Sequence, residues 1–407
     1  MKRFLSVALC IFIAFGFAGG LVTPPRHGLA VTAQAEAASE IKMPYHYNAL
    51  GAEEKQVYQA LRNAVLGCAP TLVVNRRVTQ PQLSRMVSLL ELYDPLTFNL
   101  VSISGTSQSG RTDLELTYKY SKEDYGEMMK LVESAADEIM KNMPANISDY
   151  DKLLYFHDTI IDGCDYDLEA PHCENIYGAL VDGRAKCVGY AQAFTYLCNK
   201  SGITSLTVIG DDPAGGDMGH MWNKVRYKGM WYNVDTTYDD PVVSITHNKQ
   251  YHHFMVSDAA LKGTHLEDKK MFKAPEATDD SVNYFAVKGL LAETEAEGRA
   301  ILRREMIRAT SSQTPVVFVK FSSRAEYERA KLRWYVRDDI YSIIINVNKG
   351  LGQSKIIEDL AVFFIDDRNQ TITVMFFYHD TELAFYYIDT EELSLEIHAM
   401  FEEYGIK

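Results

Sequence analysis

Cys187, His220 and Asp235 follow one another at gaps of 33 and 15 residues, and each is a residue type that acyl-transfer chemistry uses. A thiolate attacks a carbonyl, an imidazole takes and returns the proton, and a carboxylate orients the imidazole. The stretch Gly183-Arg-Ala-Lys-Cys187-Val-Gly-Tyr-Ala-Gln-Ala-Phe194 predicts a glycine-bounded turn that delivers the cysteine to the first turn of a helix. Backbone N–H groups there are unpaired and the helix dipole favours an anion, so the thiolate form is stabilised. Lys186 adds a nearby positive charge. Tyr190, Ala191, Phe194, Leu197 and Cys198 fall at +3, +4, +7, +10 and +11 from Cys187. Such a stripe would bury the helix against a sheet and hold the sulfur at the edge of a groove.

The elements that must position the other two residues lie downstream. Met218–Tyr227 and Met230–Asp235 flank Lys228-Gly229, which reads as a two-residue hairpin turn. With these two residues as the loop, residue i pairs with residue 457 − i, so Trp222 faces Asp235 and His220 faces Thr237. His220 and Asp235 then share one face as diagonal neighbours with Cβ atoms roughly 7–8 Å apart, a gap their side chains can bridge. A one-residue error in register would keep them on one face only if both strands changed parity together. Taken singly, the cysteine also reads as a small core residue, and the histidine and aspartate as a surface group and a turn cap. Their order joins them.

Three blocks carry a family resemblance: G-x-x-x-C-x-G-Y-A-x-A-F over 183–194, His220-Met-Trp222-Asn223, and Trp231-Tyr-Asn-Val-Asp235-Thr-Thr-Tyr-Asp-Asp-Pro241. In this order they resemble the transglutaminase-like core of the papain-like cysteine peptidase group, over about 146–275, roughly a third of the chain. The resemblance implies an α/β (α+β) fold with a cysteine at a helix N-terminus packed on an antiparallel sheet. It implies a nucleophile at Cys187, a general base at His220 and an orienting acid at Asp235, with no substitution at any of the three. Members include transglutaminases, which pass a glutamine acyl group to an amine, and hydrolases of peptides and amides. The expected partner is a protein or peptide presenting a glutamine side chain or a peptide amide, and no cofactor is expected. The core resembles short exported bacterial members rather than the multi-domain animal crosslinking enzymes, which favours hydrolysis. The Cys187 N–H is one expected oxyanion donor, and the sequence places no second. Tyr190 and Trp222 are candidates for lining the groove, or plain core aromatics.

Around this core, an N-terminal α/β unit is expected over 36–145 and a C-terminal α/β domain over 281–407. The first has helical periodicity at Glu53–Leu66 and Pro81–Leu92, and strands at Leu96–Ser104 and Thr112–Tyr120 joined by the polar turn Gly105–Gly110. Ser121 reads as the cap of a helix that Pro144 ends. In the C-terminal part, helices are expected at Glu293–Thr310 and Arg324–Val336. Strands are expected at Val316–Phe321, Ile340–Asn346, Leu360–Ile365, Thr371–Phe377 and Leu383–Ile388.

The 407 residues are 47% apolar and 24% charged, ordinary globular composition that excludes a disordered or collagen-like chain. A formal charge of −14 sets aside non-specific nucleic-acid binding, which needs a basic surface. Lys2-Arg3, the apolar run Phe4–Leu21 and Ala33-Gln34-Ala35 read as a signal peptide over 1–35, and hence a secreted or cell-surface protein. An uncleaved N-terminal anchor is the alternative. Cleavage would leave Cys68, Cys164, Cys173, Cys187 and Cys198, an odd number, with Cys164 and Cys173 close enough in sequence to bridge, or all five reduced. His247, Tyr251-His252-His253-Phe254 and His265 lack metal-ligand spacing, and no metal site is expected. The rival to an enzyme is a surface-exposed binding protein with a vestigial triad, since about two thirds of the chain carries no chemistry. Oligomeric state is not legible.

Overall fold

A computed structural model describes residues 43–108, 110–213, 219–240, 249–312, 316–337, 339–352 and 355–378. The expected signal over 1–35, most of the lead that follows it, the strand expected at Leu383–Ile388, and His247 lie outside the described residues. The chain mixes helices with antiparallel sheets and divides into two compact units. One is Met1–Asp240 with His253–Asp280, the other Pro241–His252 with Ser281–Lys407. Among the described residues no helix is long and apolar enough to cross a membrane.

The first unit opens with α1 (Ala52–Leu66), β1 (Thr71–Val74), α2 (Gln80–Tyr93), β2 (Leu100–Gln108), β3 (Arg111–Tyr118) and α3 (Lys122–Asn142). The strand order is β1-β3-β2, all antiparallel. The polar stretch expected as a turn is mostly strand, with Gly105 to Gln108 paired to Leu114 to Arg111. Strand β1 was too short and too close to proline to read from sequence. Ser121 accepts a bond from the Asp124 N–H at 3.0 Å and so starts α3, and Ser148 does the same for α4 (Asp149–Gly163) through Asp151 at 3.1 Å.

A parallel ribbon of β4 (Asp165–Tyr166) and β5 (Arg184–Ala185) leads into α5 (Cys187–Lys200). The main sheet follows: β6 (Ser205–Asp211), β7 (Gly219–Tyr227), β8 (Met230–Val234), β9 (Phe254–Val256) and β10 (Leu266–Glu267), in the order β10-β6-β7-β8-β9, all antiparallel. Helix α5 is clamped onto β7 because the buried Asn223 amide donates to Ala191 O at 2.8 Å and to Thr195 Oγ1 at 2.9 Å. Cys187, Val188, Ala191, Ile209 and Met221 share one hydrophobic cluster with Leu61, Met86, Leu90 and Leu114. The segment 43–118 therefore packs directly around the start of α5.

The second unit holds α6 (Tyr284–Val287), β11 (Leu291–Ala292), α7 (Glu295–Ser312), β12 (Val316–Phe321), α8 (Arg324–Lys331), α9 (Asp339–Leu351), β13 (Ile356–Asp366) and β14 (Thr371–Tyr378). Its sheet runs β11-β12-β14-β13, parallel only at the first pair. The run Ile340–Asn346, expected as a strand from its β-branched residues, is helix α9. The buried residues Ile340, Ile343, Ile344 and Val347 fall at helical spacing, and burying that face against the sheet overrides local propensity.

Gly189, in the first turn of α5, fixes how closely that helix approaches β5. A Cβ there would lie 2.6 Å from Ala185 Cβ and 2.9 Å from Asn175 O. Gly189→Ala is expected to destabilise the first unit by about 1–3 kcal/mol through overpacking, read as a lower urea midpoint with an unchanged m-value.

Candidate functional site

The hairpin that carries the site has the expected register, with Asn223 opposite Val234 and Tyr227 opposite Met230. Lys228 and Gly229 take φ of 48° and 87°, the left-handed pair that suits strand twist. This parity puts His220 and Asp235 on one face, where His220 Nε2 lies 2.5 Å from Asp235 Oδ2. Cys187 opens α5, and its side chain acts on the same imidazole, favouring the charged ring. The three residues named from sequence are therefore joined through one ring. They are 9%, 7% and 1% exposed for Cys187, His220 and Asp235.

The electrostatics follow from that burial. Burial disfavours the imidazolium of His220, but the Asp235 charge and hydrogen bond, then the Cys187 bond, outweigh it and push the group up to about 10. Burial would likewise raise the Asp235 carboxyl, yet the His220 charge and the bonds from His220 and His265 hold it well below the usual carboxylate range. Asp235 spends all its acceptor capacity: Oδ1 takes the Thr237 and Tyr238 N–H groups at 2.9 and 3.1 Å, and Oδ2 takes both imidazoles. The start of α5 has Lys186 as its cap residue with no side-chain cap bond, and Lys186 Nζ turns to Glu174 at 2.9 Å.

His265 is the site residue that sequence reasoning missed. Its Nε2 lies 2.7 Å from Asp235 Oδ2 and its Nδ1 lies 2.8 Å from Thr264 Oγ1. Burial lowers its pKa below the usual histidine value despite Asp235, and His220 and His253 add to the effect. The ring is thus a neutral donor to the carboxylate. It sits edge-on to Trp222 at 4.9 Å and to Tyr238 at 4.8 Å. It lies 30 residues beyond Asp235 with no motif around it, so spacing offered no signal.

The two aromatic groove candidates are core residues instead. Tyr190 is fully buried, and its hydroxyl donates toward Cys164 O at 2.5 Å and Asp240 Oδ2 at 2.6 Å. Trp222 is buried, stacks on the His220 ring at 5.9 Å, and gives its indole N–H to Asn233 Oδ1 at 3.1 Å. Both positions point inward, where an aromatic ring with one polar atom needs one partner. Tyr238, which sequence left unassigned, stacks on the imidazole at 4.7 Å and donates to Asp212.

A second buried pair lies beside the first. His157 has Nδ1 3.0 Å from Asp158 Oδ1 and Nε2 3.2 Å from Asp239 Oδ2. Asp239 also takes the His253 N–H and its Nδ1. Burial opposes charge on His157, but the bonds from Asp158 and Asp239 prevail and push it up to about 9. His252 instead approaches Asp366 at 3.5 Å. Ligand atoms of His220, Asp235 and His265 lie within 4.8 Å of one another, a donor set that zinc accepts. Direct hydrogen bonds of 2.5 and 2.7 Å already account for that cluster. Cys68, Cys164, Cys173, Cys187 and Cys198 are all free thiols, without the Cys164–Cys173 bridge.

Residues 133–236 match the transglutaminase-like superfamily. Kyphoscoliosis peptidase of Mus musculus is 27% identical over 111 residues, covering 23% of this chain and 17% of that protein. The Homo sapiens protein of the same name is 26% identical over 111 residues with the same coverage. The chain thus spans 17% of the length of these curated relatives. Among solved structures, a TGase is similar with a TM-score of 0.23 and 18% identity, covering 56% of this chain and 66% of that one. The periplasmic domain of TgpA from Pseudomonas aeruginosa gives a TM-score of 0.20 and 17% identity, covering 32% and 57%.

Two outcomes are expected from this geometry. Iodoacetamide should alkylate Cys187 at pH 6 at least about tenfold faster in the wild type than in His220→Ala, followed by mass mapping of the five thiols. Separately, a histidine raised from 6.5 to about 9 stabilises the fold fully below pH 6.5, and that stability is lost as pH rises through 9. The unfolding temperature should therefore decline from pH 6.5 upward, and His157→Gln should make that decline shallower.

Proposed function

We propose that the transglutaminase-like segment is a thiol-dependent acyl-transfer centre with Cys187 as nucleophile, His220 as proton carrier and Asp235 as its orienting anion. The observation that carries this reading is the single His220 ring, bonded at Nε2 to a buried carboxylate 2.5 Å away and raised in pKa by that carboxylate and by the Cys187 side chain. In this reading Cys187 Sγ adds to the carbonyl carbon of a peptide or glutamine amide, and His220 passes its proton to the departing nitrogen. The thioester is then opened by water or by an amine. That the matched relatives carry the name peptidase supports water as the usual acceptor. Asp235 stays ionised and holds the imidazole in one orientation, as an orienting carboxylate does in such triads.

The reading includes export, supported by the sequence pattern of residues 1–35 alone. It places the chemistry on proteins or peptides outside the cytoplasm and needs no cofactor.

The test incubates the full-length chain with dimethylcasein, with and without dansylcadaverine, following new amino termini, released ammonia and bound dye. Cys187→Ala is expected to lower whichever product forms by at least about a thousandfold. Full activity in Cys187→Ala would refute the assignment. Dye incorporation exceeding hydrolysis would make the acceptor an amine.

A further inference from the structure

Adding a thiolate to a carbonyl puts a full negative charge on the carbonyl oxygen, and one backbone N–H is a thin reception for it. The Cys187 N–H is available, since the first residue of a helix has no intrahelical acceptor and α5 lacks a side-chain cap. A second donor must reach the same spot. Three other aromatic donors of this unit are already committed. The Trp222 indole is held by Asn233, the Tyr190 hydroxyl by Cys164 O and Asp240, and the Tyr238 hydroxyl by Asp212.

Tyr166 is different. In the parallel ribbon its partner is Ala185, two residues before Cys187, and Asp167 N donates to Ala185 O at 3.0 Å. Paired residues of neighbouring strands project their side chains to the same side. Ala185 points at α5, because its Cβ is the atom that a Cβ on Gly189 would meet at 2.6 Å. Tyr166 therefore projects along the first turn of α5, and its ring lies 6.4 Å from the Tyr190 ring one turn on. It is half-buried, and its hydroxyl makes no hydrogen bond among the described residues.

We propose that the Tyr166 hydroxyl, together with the Cys187 N–H, is the donor pair that receives the oxyanion formed when Cys187 adds to a carbonyl. The inference rests on Cys187 being the nucleophile. Burial, then the charges of Cys187, Asp235 and Cys173, push the phenol up to about 12, so it keeps its proton and donates across the working pH range. In the step itself the Sγ electron pair forms the S–C bond and the carbonyl π pair moves onto oxygen, where both donors meet it. Collapse restores C=O and breaks the bond to the leaving group. The donors are bonded more strongly to the anion than to the neutral carbonyl, and that difference is what lowers the barrier.

The experiment compares two reagents on the full-length wild type and on Tyr166→Phe. Acylation of Cys187 by 4-nitrophenyl acetate passes through an oxyanion and releases 4-nitrophenolate. Alkylation by iodoacetamide displaces iodide at a saturated carbon and forms none. The expected result is a fall in acylation of about 10- to 100-fold, with alkylation within about twofold. The alkylation rate also reports that the variant retains a folded site. Equal acylation in both proteins would overturn the proposal, and so would a parallel loss of both reactions, which would make Tyr166 a support of the thiol. If the wild type is alkylated at Cys187 but never acylated there, the acyl-transfer reading falls first and takes this inference with it.

Discussion

A carboxylate with no access to water is the constraint around which the first unit is arranged. Burying an isolated carboxylate costs several kcal/mol, and only complete replacement of its hydration offsets that. Asp235 has that replacement in four donors, two from the turn that follows it and two imidazoles. These donors come from three places in the chain, so satisfying one anion fixes the turn after β8, the start of β7 and the approach to β10. Cys187 reaches this centre from the opposite side, on a helix whose distance from the sheet is set by Asn223. The Cys187 sulfur and the Asp235 charge are thus positioned by independent contacts.

Two neighbouring histidines show how the same groups act in different surroundings. Both are buried and both are held charged by carboxylates. His157 has a carboxylate on each nitrogen, so its protons have nowhere further to go and it serves as an ionic rivet between α4 and the turn at Asp239. His220 has one carboxylate, on Nε2, and the Cys187 side chain as its further partner. In the proposed function, a sulfur in place of a second acid leaves this ring able to carry a proton. The neutral His265 completes the contrast: with its bond to Asp235 opposed by burial and two nearby imidazoles, it supplies a donor without a charge.

What was legible in the sequence was whatever short-range rules control. Lys228-Gly229 set the hairpin register, which in turn set the face shared by His220 and Asp235, and the helix opening at Cys187 was readable from its glycine-bounded turn and apolar stripe. Ser121 announced the helix it caps. What was not legible depends on contacts between distant segments. His265 joins the site only because β10 pairs with β6. The position of Tyr166 follows from a two-residue ribbon too short to leave a pattern. Tyr190 and Trp222 looked like lining because sequence does not say which side of an element the core lies on. The Ile340–Asn346 run failed for a related reason: its β-branched residues argued locally for a strand, and burial at helical spacing decided otherwise.

The two-residue turn at Lys228-Gly229 also limits how this chain can change over evolutionary time. Side chains alternate along a strand, so adding or losing a single residue between His220 and Asp235 within the paired strands turns one of them to the far side of the sheet. A change of two preserves the face while sliding the partners by one repeat, and loops outside the paired strands can vary freely. Length variation among descendants of this sequence should therefore collect before Gly219 and after Asp240, leaving the hairpin itself nearly frozen in length while its residues drift.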